Sequence, residues 1–144
     1  ISLEEFHELN RRRAQEQPAG LSATATHDTK RGEDARARLH VLSEVPRAWQ
    51  QAVLEWRTLN AAVRPEPDLP DALTEVFIYQ ALVGGWPPGG LERDPTFRDR
   101  FASFIAKAIA EAKLYTSWIN PDAAYEAAIS GYVQAILDRR RSAA

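Results

Sequence analysis

Only one stretch of this chain reads as a β-strand, Leu21–Thr26, and a single strand cannot satisfy its own backbone. Its N–H and C=O groups need a neighbouring strand on at least one side. The other periodic segments are helical, so the fold class expected is mainly α, with the strand belonging to a sheet completed by other residues. The helix starts are punctuated. Ser2-Leu3-Glu4-Glu5 has the form of a capping box, in which a Ser hydroxyl and a Glu side chain each satisfy a free backbone N–H. This helix should run to about Gln17, before Pro18 and Gly20 break it. Asp94-Pro95 and Asn120-Pro121 each place a capping side chain ahead of a proline at the first helical position, and Pro46 opens another helix in the same way.

Beyond residue 45, apolar residues recur at helical spacing in four stripes. Trp49, Val53, Trp56 and Leu59/Asn60 form the first; Leu73, Val76, Phe77 and Gln80/Ala81 the second. Phe97, Phe101, Phe104, Ile105, Ala108 and Ile109 form the third, and Tyr125, Ala128, Ile129, Tyr132, Val133 and Ile136 the fourth. Arg64–Pro70 is a stiff, proline-rich loop and Gly84–Gly90 a looser one, and no repeat or low-complexity tract is present. Four such helices can bury their stripes against one another in a bundle-like subdomain. Residues 1–44 cannot close a layer alone, so the division expected is 1–44 and 45–144.

Composition narrows the function classes. The formal net charge of -2 gives no field to attract nucleic acid. Arg11–Arg13 and Arg139–Arg141 fall toward helix ends, where cations suit the helix dipole. With no Cys, disulfides, thiolate zinc sites and cysteine nucleophiles are excluded, and a reducing cytoplasmic setting fits. No apolar run approaches the roughly 18 residues of a membrane span. The chain starts at Ile1 and lacks Met, which reads as an internal piece of a longer protein.

The segment that carries chemistry follows the strand. Leu21–Thr26 ends in His27-Asp28, then a polar turn, then a helical pattern. Strand, functional residue at its carboxyl end, loop and helix is how a (β/α)8 barrel presents catalytic groups, although the chain is far short of the roughly 250 residues of a whole barrel. The run Thr-His-Asp-Thr-Lys-Arg-Gly-Glu-Asp-Ala-Arg-Ala-Arg, Thr26–Arg38, resembles the strand-end "HD" motif of the α-amylase superfamily of glycoside hydrolases and transglycosylases. In this extended form it resembles the superfamily's glucan 1-α-glucosylmutases, its trehalose-forming members. Ile1–Asn10, Tyr79–Pro87 and Glu111–Pro121 are also similar to segments of those enzymes, in the same order.

The resemblance implies an excised piece of a (β/α)8 barrel: a helix, the strand, the HD loop and a helix, followed by a helical insertion. The implied activity turns the reducing-end α-1,4 linkage of a maltooligosaccharide into an α,α-1,1 linkage by intramolecular transglycosylation, an isomerisation needing no cofactor. Partners implied are the maltooligosaccharide and the remainder of the barrel, with no nucleic acid and no membrane. Asp28 would be the superfamily's third carboxylate, which accepts hydrogen bonds from sugar hydroxyls. His27 would bind the same sugar. Lys30 and Arg31 on the loop could donate to sugar hydroxyls or pair with Glu33 or Asp34, which suit the first turn of the next helix. No segment resembles the motifs of the other two carboxylates, so the isolated chain should be inactive. No metal-ligand cluster is present.

Other candidates read as structural. An Asp after a strand is ordinarily a turn or helix cap, and only the surrounding motif reverses that for Asp28. His7 and His40 read as structural histidines. Trp49 and Trp56 belong to a helical stripe. Trp86 and Trp118 lie outside helices, where either could stack on a sugar, but core packing is the better account. The alternative for the whole chain is a non-catalytic helical interaction module, favoured by the stripes and by the incomplete active site.

Overall fold

The computed structural model describes residues 1–138. Among them are six α-helices: α1 Leu3–Glu16, α2 Glu33–Glu44, α3 Pro46–Leu59, α4 Ala72–Gly85, α5 Phe97–Ala112 and α6 Ala123–Ile136. Single 3-10 turns lie at His27–Thr29 and Ala61–Val63. The chain forms two compact units, Ile1–Glu33 and Asp34 onward, so most of α2 falls with the later helices. The Arg139–Arg141 run lies outside the described residues.

In the first unit, α1 forms as its capping box requires. Ser2 Oγ accepts from Glu5 N at 3.1 Å, and Glu5 Oε2 accepts from Ser2 N at 2.7 Å. The helix stops at Gln17, ahead of Pro18. None of its residues is buried: Leu3, Phe6 and Leu9 are all exposed, and His7 is an exposed residue whose ring meets Phe6 edge-on. The expected strand at 21–26 is not formed, and no strand exists among the described residues. A ladder needs a second strand, and the described residues offer none. The segment therefore runs as coil, with Leu21 fully exposed.

The second unit is built around α4, α5 and α6. Ile78, Ile105 and Ile129 are essentially inaccessible, with Phe97, Phe101, Ile109 and Val133 packed into the same cluster. Full burial of each such aliphatic side chain contributes roughly 1.5–3 kcal/mol. The third and fourth stripes are thus on the core side. The second stripe is displaced. Leu73 is exposed, while the buried face of α4 runs through Thr74, Glu75, Ile78, Tyr79 and Ala81. A glutamate supplies part of the buried face because its carboxylate is fully partnered, as described below. α3 starts at Pro46, and its Trp49, Val53 and Trp56 are half-buried, whereas Leu59 is exposed.

Two helix starts fall later than the prolines suggest. α6 is capped by Asp122, whose carboxylate accepts from Tyr125 N at 3.0 Å, rather than by Asn120. α5 begins at Phe97, and Asp94 instead accepts from the Thr96 hydroxyl at 2.9 Å. α4 is capped by Asp71, which accepts from Leu73 N at 2.9 Å and Thr74 N at 3.2 Å. α2 approaches α4 closely at Gly84, where a Cβ would lie 3.4 Å from the Ala35 carbonyl oxygen and from Leu39 Cγ. Arg38 fastens the same contact by donating to the Trp86 carbonyl at 2.6 Å.

Candidate functional site

The motif segment lies in the first unit, and its threonines shape it. Thr26 is extended (φ -133, ψ 175) and caps the 3-10 turn His27–Thr29, its hydroxyl accepting from Asp28 N at 3.2 Å. Thr29 Oγ1 accepts from Thr26 N at 3.2 Å and lies 2.8 Å from the Thr26 carbonyl, which can take its proton. Lys30 then reverses the chain in the left-handed region, at φ 62. The main chain is therefore tied down on both sides of His27-Asp28 while the two side chains project outward.

Those side chains are 90% and 84% exposed. His27 Nε2 lies 3.3 Å from Asp28 Oδ2, an ion pair whenever the imidazole is protonated. So exposed a pair adds little stability. What the turn offers is chemical: a carboxylate that accepts hydrogen bonds beside an imidazole that can donate one. Lys30 is exposed and Arg31 partly buried on the same turn. Of the four residues singled out, His27 and Asp28 are in direct contact, and Lys30 and Arg31 follow within the same reversal. Glu33 opens α2 and accepts from the Thr24 hydroxyl.

The second unit holds a polar cluster that the stripes did not reveal. Glu75, 1% exposed, accepts from Tyr79 Oη at 2.9 Å and Tyr132 Oη at 3.0 Å through Oε1. Its Oε2 pairs with the buried Arg64 guanidinium and lies 3.4 Å from Arg57 Nε. Arg64 also donates to the Pro70 carbonyl at 3.0 Å, and Asn60 donates to Tyr79 Oη at 3.0 Å. Burial, then the neighbouring Tyr79 phenol and the Glu75 charge, hold Tyr132 far above the ordinary tyrosine range. Tyr79 is raised as well, again mainly by burial. A signal did exist: Glu75 and Tyr79 stand four residues apart on a largely apolar helix, the spacing that lets side chains meet.

Beside this cluster, Trp56, Leu59, Tyr79, Leu82, Trp86 and Ile136 line an apolar groove of about 420 Å³. Trp56 meets Tyr79 edge-on at 5.4 Å, and Trp86 meets Phe97 at 5.7 Å. Neither Trp86 nor Trp118 is a core residue of this chain: they are 41% and 67% exposed.

No family model matches the chain. Curated proteins of two Mycobacterium tuberculosis strains, CDC 1551 and H37Rv, each provisionally named maltooligosyl trehalose synthase, are 38% identical over 138 residues, which is 96% of this chain and 17% of theirs. A crystal structure of a hypothetical maltooligosyl trehalose synthase from Sulfolobus tokodaii superposes with a TM-score of 0.69 at 30% identity, covering 99% of this chain and 19% of that one. A second crystal structure of a maltooligosyl trehalose synthase gives 0.72 at 33% identity, over 97% and 18%. This chain therefore spans less than a fifth of the length of these relatives, and it is homologous, over nearly all of its own length, to a segment of the maltooligosyl trehalose synthases.

Proposed function

We propose that this chain acts as part of a longer enzyme that converts the reducing-end α-1,4 linkage of maltooligosaccharides into an α,α-1,1 linkage by intramolecular transglycosylation. In this reading residues 1–44 belong to the wall of a (β/α)8 barrel, and residues 45–144 form a helical insertion. The strand Leu21–Thr26 would then pair within that barrel. The observation that carries the reading is the His27-Asp28 turn: its backbone is fixed by Thr26 and Thr29, and its carboxylate is exposed with His27 beside it.

Asp28 has the role of accepting hydrogen bonds from vicinal sugar hydroxyls, and its negative charge complements the positive charge that develops on the ring in an oxocarbenium-like transition state. His27 donates to the same sugar, and Lys30 and Arg31 supply further donors to hydroxyls. The nucleophile and the general acid–base carboxylate lie outside this chain, so the isolated chain has no turnover of its own. Exclusion of water from the glycosyl-enzyme is needed for transfer to win over hydrolysis.

The test is Asp28→Asn in the full-length enzyme. The change is nearly isosteric and removes one charge, so turnover should fall by about 10²–10³ or more, the usual effect of deleting one electrostatic stabiliser. Thermal unfolding should be unchanged. Asp34→Asn, on the exposed first turn of α2, is the matched control and should keep normal turnover. Normal activity in Asp28→Asn, or an equal loss in both variants, removes Asp28 from the site.

A further inference from the structure

The segment between α5 and α6 combines two properties. Its backbone is locked, and its large apolar side chains face outward. Thr116, 3% exposed, accepts from Asp122 N at 3.0 Å and donates to Glu126. Ser117 Oγ accepts from Asn120 N at 3.0 Å, and Ser117 N donates to the Asn120 carbonyl at 3.1 Å. Within this frame Trp118 is 67% exposed and Ile119 94%, and Leu114, just ahead of it, is 62% exposed. Four bonds thus hold a short turn whose tip is a tryptophan and an isoleucine.

A rigid apolar tip has already lost the conformational entropy that a flexible loop would lose on binding, which is how preorganised binding elements gain affinity. Tryptophan is among the residues that most often anchor an interface by filling a desolvated pocket. A sugar would use the tryptophan face but has no use for an isoleucine beside it, whereas an apolar protein pocket takes both. The source of such a pocket is suggested by size. The same fold occurs in solved relatives as 18–19% of the chain, so over four-fifths of each relative lies outside the corresponding segment.

We infer that the 113–122 turn is a docking anchor, whose Trp118 and Ile119 insert into an apolar pocket on the rest of a full-length synthase chain. This rests on the reading that the chain acts within such an enzyme. It differs from the active-site assignment in using another unit of the chain and in requiring no substrate.

The experiment is Ile119→Cys in the full-length enzyme, followed by maleimide labelling of that peptide, read by mass spectrometry. The rate is compared with that of the same protein in urea. Replacement at a position so exposed in this chain leaves the turn's own bonds intact. Docking predicts labelling slowed on the order of 100-fold in the native enzyme, at every protein concentration and without sugar, since only local opening exposes the thiol. Rapid native labelling overturns the proposal. Protection that appears only on adding maltooligosaccharide, or only at high protein concentration, also overturns it, in favour of a sugar subsite or a contact between copies. Protection in an enzyme that forms no trehalose linkage would leave the anchor standing and remove the proposed activity.

Discussion

Replacing Glu75 by glutamine isolates the charge at the centre of the helical unit. The side chain keeps its size, so the change leaves no cavity. An amide can still satisfy the two phenols by turning its NH2 toward them, because a hydroxyl oxygen also accepts. What it cannot restore is a counter-charge for Arg64, whose side chain is only 8% exposed. Removing one partner of a buried ion pair costs about 3–5 kcal/mol, because the remaining charge stays desolvated. Arg64 keeps its bond to the Pro70 carbonyl, which partly compensates its charge, so the lower part of that range applies to Glu75→Gln. Even about 3 kcal/mol is a large share of the 5–15 kcal/mol typical of a folded domain. The control is Arg57→Ala: Arg57 is 47% exposed, and its pair with Glu75 should be worth at most about 1 kcal/mol. Urea unfolding followed by helical dichroism gives both differences, provided that the slope is unchanged. A loss below about 1 kcal/mol for Glu75→Gln, or an equal loss for Arg57→Ala, would refute the claim that this buried charge holds α4 in place.

Two further outcomes follow from titration. Tyr79 and Tyr132 are held protonated in the fold above the ordinary value of 10.0, whereas the unfolded chain releases those protons at about pH 10. Their contribution is therefore complete below pH 10, and stability falls above it by about 1.4 kcal/mol per pH unit for each tyrosine. Urea midpoints between pH 9 and 11 should show this decline, with a shallower slope in Tyr132→Phe; equal slopes would count against it. At Asp71, partial burial raises the carboxyl pKa, but hydrogen bonds from the Thr74 hydroxyl and from the Thr74 and Leu73 amides outweigh it, so the net value lies below 3.8. The stability from this cap is present above pH 3.8 and is lost as pH drops through the lowered value. Asp71→Ala should cost about 1 kcal/mol at pH 7 and much less at pH 2, and a cost independent of pH would contradict the capping role.

Local signals in the chain were readable where a residue acts on its near neighbours. Ser2 and Glu5 cap α1, Pro46 starts α3, and the phenylalanine and isoleucine spacing of α5 finds the core. Long-range satisfaction was not readable. Glu75 breaks an apolar stripe on paper, and only the approach of Tyr132, 57 residues away, and of Arg64 makes its burial affordable. The strand at 21–26 fails for a related reason, since its β-branched residues specify a pairing whose other half is not found among the described residues. His27 and Asp28 were singled out by their resemblance to a known motif. The threonine bonds that hold them came only with the structure.

At the end of α5 the chain turns through Lys113, at φ 58 and ψ 28. Glycine would enter this left-handed region without strain, whereas a residue with a Cβ gives up roughly 1–2 kcal/mol there. A glycine, however, has several backbone basins open to it, and a lysine very few. The bonds of the turn that follows hold the bearing on which the chain leaves the helix, and the lysine takes that bearing at the expense of the native state's own stability. Direction and stability are exchanged at a single peptide unit, so a screen that rewarded thermal resistance alone would tend to replace this lysine with glycine.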